Sequence, residues 1–97
     1  MAINTATVLS LVKTRLNRLA GDTSLDTYLS ARIEAAAKEL AGVGVTIDTN
    51  DSAQLLFLVD YTVWQYQSRD DSGSMPEWLR LRRRELWLNQ NVQQGGA

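Results

Sequence analysis

Apolar side chains recur at helical spacing in four stretches of the chain, and this pattern predicts an all-α fold. In the first stretch, residues 6–20, apolar positions return every three or four residues, as on one face of a helix. Gly21 follows at the place where a glycine commonly ends a helix. The second stretch, residues 24–41, is preceded by Thr23, and Asp26 three residues later gives the spacing of a capping box. Its stripe is the cleanest, and consists of Leu25, Leu29, Ile33, Ala36 and Leu40.

The third stretch, residues 52–69, is apolar on nearly all sides, so we expect it to be the central helix. Asp51, with Gln54 three residues later, predicts its N-cap. The stretch is too short and too polar to span a membrane. Asp60 is the exception within it, because a buried carboxylate needs a partner. We predict a pair with an arginine of the fourth helix or of another subunit; otherwise Asp60 lies on a narrow solvated strip.

The fourth helix is predicted to begin near Met75, after a turn-rich break at residues 70–73. Ser74 and Glu77 have the spacing of a second capping box, and Pro76 suits the first turn of a helix. The expected architecture is a small bundle of four helices with an extended loop between the second and third.

Residues 1–88 are predicted to form a single domain, and residues 89–97, which are rich in Asn, Gln and Gly, a flexible tail. Residues 43–50 alternate apolar and polar positions as a strand does, but no partner strand is evident, so we interpret them as the extended loop. Val45 and Ile47 lie on its apolar side and are expected to pack on the bundle or on another subunit.

The sharpest local charge is the run Arg80-Leu81-Arg82-Arg83-Arg84 in the fourth helix. It has three possible roles: a solvated face paired with Glu77 and Glu85, contact with an acidic protein surface, or contact with phosphates. We take Arg80, Arg82, Arg83 and Arg84 as candidate interface residues.

Trp78 and Trp87 are nine residues apart in the same helix, which places them on roughly opposite sides of it at about 100° per residue. One helix of a small bundle cannot easily bury both against its own core. We therefore expect at least one of them to anchor an interface, because Trp and Arg are enriched at binding hot spots.

Composition argues against most catalytic roles. The chain has 97 residues, a net charge of −1, no cysteine and no histidine. The commonest zinc ligands and the usual neutral-pH acid–base group are missing, and a Ser–His or Cys–His pair cannot be built. We therefore predict no enzyme activity, no catalytic residue, no metal site and no cofactor. The first residues lack the pattern of a signal peptide, so the expected place of synthesis is the cytoplasm.

The order of residues resembles the small head–tail connector proteins, also called head-completion or adaptor proteins, of long-tailed bacteriophages and prophages. The resemblance covers about residues 8–88. It is carried by Val12-Lys13…Leu16, Asp22…Leu25-Asp26…Tyr28-Leu29…Ile33…Ala36-Ala37, Asp51…Leu55…Val59-Asp60-Tyr61…Trp64-Gln65-Tyr66…Arg69-Asp70 and Met75-Pro76…Trp78-Leu79…Arg82.

This resemblance implies a structural protein of the virion, assembled in the host cytoplasm. Its partners would be copies of itself in a ring of about a dozen subunits, the portal protein and tail-completion proteins, with no membrane involved. DNA would pass through the ring without sequence-specific binding. The alternative from the residues alone is a small helical DNA-binding regulator that uses the Arg80–Arg84 helix.

Overall fold

The computed structural model describes residues 3–19, 21–68 and 74–92 of the chain. This part of the chain contains four α-helices and no strand, which confirms the predicted all-α bundle with an extended loop between the second and third helices. The helices are α1 (Thr5–Arg15), α2 (Asp26–Gly42), α3 (Ser52–Gln67) and α4 (Glu77–Trp87). The predicted turn at residues 70–73 lies outside the described residues.

One hydrophobic core joins all four helices. Helices α1, α2 and α3 pack against one another in every pairing, whereas α4 packs only on α3 among these helices. Burying apolar side chains is the main stabilising contribution to such a bundle. The predicted α2 stripe forms the inner face of that helix, and α3 supplies most of the centre. The largest fully buried side chains include Phe57, Leu29, Ile33, Leu40, Leu58 and Leu79.

α1 is shorter than predicted, because Asn17 ends it. Asn17 has a φ of 60°, the left-handed conformation that asparagine tolerates better than most residues. The Arg18 N–H donates to the Lys13 carbonyl at 2.8 Å, and the Asn17 N–H donates to the Thr14 carbonyl at 3.1 Å. These two bonds form a Schellman motif with Asn17 at the C′ position. The prediction that Gly21 ends α1 is therefore wrong.

Only one of the three predicted N-caps forms as expected. The Asp51 carboxylate accepts hydrogen bonds from the backbone N–H groups of Ala53 and Gln54, at 2.9 and 3.3 Å, and so caps α3. Neither α2 nor α4 has a side-chain cap; their N-cap residues are Leu25 and Pro76. The two predicted capping boxes are therefore wrong.

The loop between α2 and α3 packs on its own subunit. Gly44 has a φ of +93°, and the Val45 N–H donates to the Leu40 carbonyl at 2.8 Å, which turns the chain back onto α2. Val45 is fully buried and Ile47 is 3% exposed, and both belong to the core. The expected packing on the bundle is confirmed. The expectation that Val45 and Ile47 serve as interface residues is corrected, because their side chains are already covered within one chain.

The helical domain extends past the predicted boundary at residue 88. α4 continues directly into a π-helical segment, Leu88–Val92, so four residues of the predicted flexible tail belong to a hydrogen-bonded helix end. Residues 93–97 lie outside the described residues, and their flexibility stays a prediction.

Candidate interaction surface on the last helix

α4 is attached to the bundle by a narrow inner face. Leu79 is fully buried and Leu86 is 9% exposed, and these are the two buried side chains of the helix. The remainder of α4, together with the first residue of the π-helical segment, is unusually rich in exposed apolar side chains. Those of Trp78, Leu81, Trp87 and Leu88 are all more than a third exposed. An isolated apolar residue on a surface is ordinary, but a group of this size on one short element indicates an interaction site.

We call Trp78, Leu81 and Leu88 the apolar strip. Leu81 follows Trp78 by three residues and precedes Leu88 by seven, so the three side chains share one side of the helix. Leu79 and Leu86 point the other way, into the core. The strip therefore faces largely away from the core, and its side chains are 56%, 47% and 37% exposed.

A second surface lies beside the strip, between α4 and the turn that follows α2. It is a groove of about 370 Å³, which we call the arginine groove, lined by Val43, Val45, Arg80, Arg83, Arg84 and Trp87. Val43 is half exposed and forms the apolar floor, whereas the side chain of Val45 is fully buried. The predicted cluster of arginines and Trp87 is thus brought together by the turn at Gly44.

Trp87 forms the wall of this groove because Gly44 has no side chain. A Cβ atom at Gly44 would lie 2.6 Å from Nε1 of the Trp87 indole, which is closer than real Cβ atoms approach. The close contact and the positive φ both require glycine at this position. Trp87 remains 39% exposed on its other side, toward the groove.

The four arginines have different surroundings. Arg80 pairs with Glu77 at 3.4 Å, and Arg82 pairs with Glu85 at 3.5 Å, both between exposed side chains. Pairs of this kind contribute little stability. Arg84 makes no ion pair within residues 3–19, 21–68 and 74–92. The predicted solvated pairing is confirmed for Arg80 and Arg82, and Arg80, Arg83 and Arg84 line the groove.

Arg83 also approaches a polar cluster at the junction of α2, α3 and α4. The Tyr61 hydroxyl and the Gln65 amide both donate to the Glu39 carboxylate, each at 2.8 Å. Burial, together with the hydrogen bond to Glu39 and its negative charge, raises the pKa of Tyr61 to about 12. The nearby Arg83 acts in the opposite direction on this pKa but does not outweigh those effects.

The π-helical segment fastens the end of α4 to the loop. The Gln90 side-chain amide donates to the Thr46 carbonyl and accepts from the Thr46 N–H, both at 2.8 Å. The Asn91 amide donates to the Gly44 carbonyl at 2.8 Å. These bonds satisfy backbone groups of an extended segment that has no neighbouring strand. We call these contacts the Gln90 latch.

Asp60 has the arginine partner that its position in α3 predicts, but the partner is on a different helix. It pairs with Arg15 of α1, and not with an arginine of α4. The Asp60 side chain is 29% exposed and that of Arg15 is 47% exposed, so the pair lies at the edge of the bundle. Asp60 is therefore half-buried, and not the buried charge that was expected.

Trp78 and Trp87 do lie on different sides of α4, as predicted, and both remain partly exposed. The structure places Trp78 on the strip and Trp87 in the groove. Sequence reasoning missed Val43, Leu81, Gln90 and Asn91 as parts of these surfaces. Leu81 could have been predicted, because its position three residues after Trp78 places it on the same side of the helix. The contacts of the other three residues depend on the turn at Gly44.

Within the described ranges, no group of three acidic, histidine or cysteine side chains is placed to hold a metal ion. In the same ranges, no helix has the length and apolar character needed to cross a membrane. Comparison of the chain with models of protein families, with curated proteins and with solved structures found no match.

Proposed function

We propose that this chain is a head–tail connector subunit of a tailed bacteriophage or prophage, which forms a ring between portal and tail around the DNA channel. The observation that best supports this proposal is the apolar strip on α4. A strip of two leucines and a tryptophan facing solvent is a surface that a partner covers. In a ring of identical subunits, that partner is the neighbouring copy.

A closed ring needs two different contact surfaces on each subunit, because every interface joins one surface to the other. Leu56 on α3 is a candidate for the second surface, since its side chain is about half exposed. It lies two residues after Gln54, whose side chain faces the loop, and therefore about 200° away around the helix. The exposed leucine and the α4 strip lie on different helices and are candidates for the two surfaces that a head-to-tail ring needs.

The charge of the chain is compatible with a channel protein. The net charge is −1, and two of the four arginines of α4 are paired with glutamates. A channel that binds many phosphates would hold DNA and slow its passage. The proposed partners are copies of the chain, the portal protein and tail-completion proteins, and the proposed location is the virion after assembly in the host cytoplasm. The proposed role is structural and not enzymatic.

A DNA-binding regulator is the alternative, and two observations weigh against it. Residues 68–76 separate α3 from α4, whereas a helix-turn-helix motif has a turn of about three to four residues. The α4 surface also combines its arginines with two glutamates and an exposed apolar strip, which does not suit the reading of base edges.

The test is the assembly state of the purified full chain, by native mass spectrometry and electron microscopy, alone and with the portal protein. We expect a closed ring of about a dozen copies with a central channel. A chain that stays monomeric at high concentration and with the portal present contradicts the proposal. Binding to duplex DNA that falls steeply with salt would support the regulator instead.

A further inference from the structure

The arginine groove has the construction of a binding site for a peptide. It is recessed, it has an apolar floor at the half-exposed Val43, and the indole of Trp87 forms one wall. Its volume of about 370 Å³ lies at the low end of the range of about 300–1,000 Å³ for ligand pockets. A site of this size holds one or two apolar side chains and their flanking groups.

The charges around the groove specify the chemistry of the occupant. Arg80, Arg83 and Arg84 line it, and no carboxylate is among its six lining residues. Arg80 has only a weak, exposed pair with Glu77, and Arg84 has no ion pair with any described residue. Guanidinium groups bind carboxylates through two parallel hydrogen bonds, and Trp and Arg are the residues most enriched at binding hot spots.

From this combination we infer that the arginine groove binds an acidic peptide segment of a partner protein. The segment carries one or two apolar side chains between carboxylates. The apolar side chains pack on Val43 and Trp87, and the flanking carboxylates pair with Arg80 and Arg84.

A nucleic acid fits these features less well than a peptide. Phosphates of a duplex are contacted by basic side chains that project toward the backbone, and such binding makes no use of an apolar floor. The peptide uses both the apolar floor and the guanidinium groups.

This inference is separate from ring formation, because the groove and the apolar strip are different surfaces of α4. Binding at the groove is therefore measurable on the full chain whether or not it assembles. The readouts are the NMR signals of the Trp87 indole N–H and the Gly44 amide in the isotope-labelled chain. Fluorescence anisotropy of the labelled probe gives the affinity.

The probe is the synthetic peptide acetyl-DELFED-amide, and we expect it to shift both NMR signals in a saturable way. The peptide acetyl-DESSED-amide has the same charge without the apolar side chains, and we expect it to bind about tenfold more weakly. Equal binding of the two peptides overturns the inference, because it would show attraction by charge alone. Preferential binding of duplex DNA at the same signals, or no shift at all, also overturns it.

Arg84→Glu and Arg82→Glu form a matched pair of variants on the same exposed helix, and only Arg84 lines the groove. We expect Arg84→Glu to weaken peptide binding by about tenfold or more, and Arg82→Glu to change it by less than about twofold. Arg84→Gln, which only removes the charge, should have an intermediate effect and guards against misfolding of the charge reversal. Equal losses for Arg84→Glu and Arg82→Glu contradict the assigned groove. Shifts of the Trp87 signal with chain concentration alone would show that a second copy occupies it.

Discussion

Thr62 lies in the middle of α3, among the most deeply buried side chains of the molecule. Its side chain is fully buried, and its hydroxyl has no hydrogen-bond partner within the described part of the chain. An unpaired hydroxyl in an apolar core costs about 1–3 kcal/mol of stability. The surrounding residues Leu58, Val59 and Val63 are apolar and also buried, so the hydroxyl is the unfavourable group at this position.

We therefore predict that Thr62→Val stabilises the protein by about 1 kcal/mol, because valine has nearly the same shape and no polar atom to desolvate. Urea unfolding followed by circular dichroism measures the change. Thr62→Ser is the control: it keeps the hydroxyl and removes a methyl group, so it should destabilise. A lower free energy of unfolding for Thr62→Val would show that the hydroxyl is satisfied in solution.

Tyr61 gives the protein a pH dependence in the alkaline range. Its pKa is raised from 10.0 to about 12, first by burial and then by the bond to Glu39. The unfolded chain loses the tyrosine proton near pH 10, while the folded chain keeps it to about pH 12. Unfolding therefore releases a proton in this window. The stability contributed by the neutral hydroxyl is fully present below pH 10 and is lost as the pH rises through 12.

The measurement is a titration of tyrosinate by ultraviolet absorbance, together with unfolding at several alkaline pH values. We expect one late tyrosine transition near pH 12, which Tyr61→Phe removes and Tyr28→Phe leaves in place. Stability should fall more steeply above pH 10 in the parent protein than in Tyr61→Phe. Similar alkaline slopes for the two proteins would refute the assignment.

Lys13 shows what sequence patterns cannot reveal about a single residue. Its position beside the apolar stripe of α1 predicts a solvated side chain, yet it is 6% exposed and pairs with Asp26 at 2.9 Å. The pair joins α1 to the first turn of α2, where Asp26 was expected to act as a cap. A contact between two helices has no signature in the periodicity of either one, so the pattern reveals neither the burial of Lys13 nor its pair with Asp26.

At the scale of the elements, the sequence predicts where helices lie better than where they end. The stripe of α2 and the N-cap of α3 were correct, because both depend on residues within one helix. The end of α1 was placed too late, since a left-handed asparagine at position 17 is less distinctive than a glycine. The contact of α4 with the loop after α2 was not foreseen. It depends on the packing of Trp87 against Gly44, which is far away along the chain.

The Gln90 latch is the element-scale feature most open to test. α4 packs on α3 alone among the α-helices, and the latch adds two hydrogen bonds from one side chain to Thr46. Each bond contributes about 0.5–1.5 kcal/mol. We predict that Gln90→Ala speeds amide hydrogen exchange in α4 by about tenfold, while exchange in α1 and α2 changes little.

Asn89→Ala is the matched control, because Asn89 lies in the same π-helical segment with an exposed side chain. It should leave the exchange rates of α4 close to those of the parent. Hydrogen exchange followed by mass spectrometry or NMR resolves the helices separately. Equal acceleration in all four helices on Gln90→Ala would mean that α4 opens only with the whole domain.

At the scale of the whole molecule, the structure locates on α4 the excess apolar surface that the sequence predicts. Two tryptophans on opposite sides of one helix predicted more apolar surface than a single small bundle covers. Trp78 is 56% exposed, and Leu81 extends its surface along α4. Val45 and Ile47 of the loop are covered, so α4 carries the largest group of exposed apolar side chains in the described part of the chain. It is therefore the surface to test.

If the chain assembles through the apolar strip, Leu81→Lys places a charge at the centre of the interface. A buried unpaired charge is strongly unfavourable, so we predict that this variant stays monomeric where the parent forms rings. Leu81 is about half exposed in the single subunit, so the melting temperature of the monomer should change little. Val43→Lys is the control, because Val43 is also about half exposed and lines the groove but lies outside α4. Native mass spectrometry of both variants beside the parent distinguishes the two surfaces: rings that survive Leu81→Lys exclude the strip as the subunit contact, and rings lost with Val43→Lys alone place that contact in the groove.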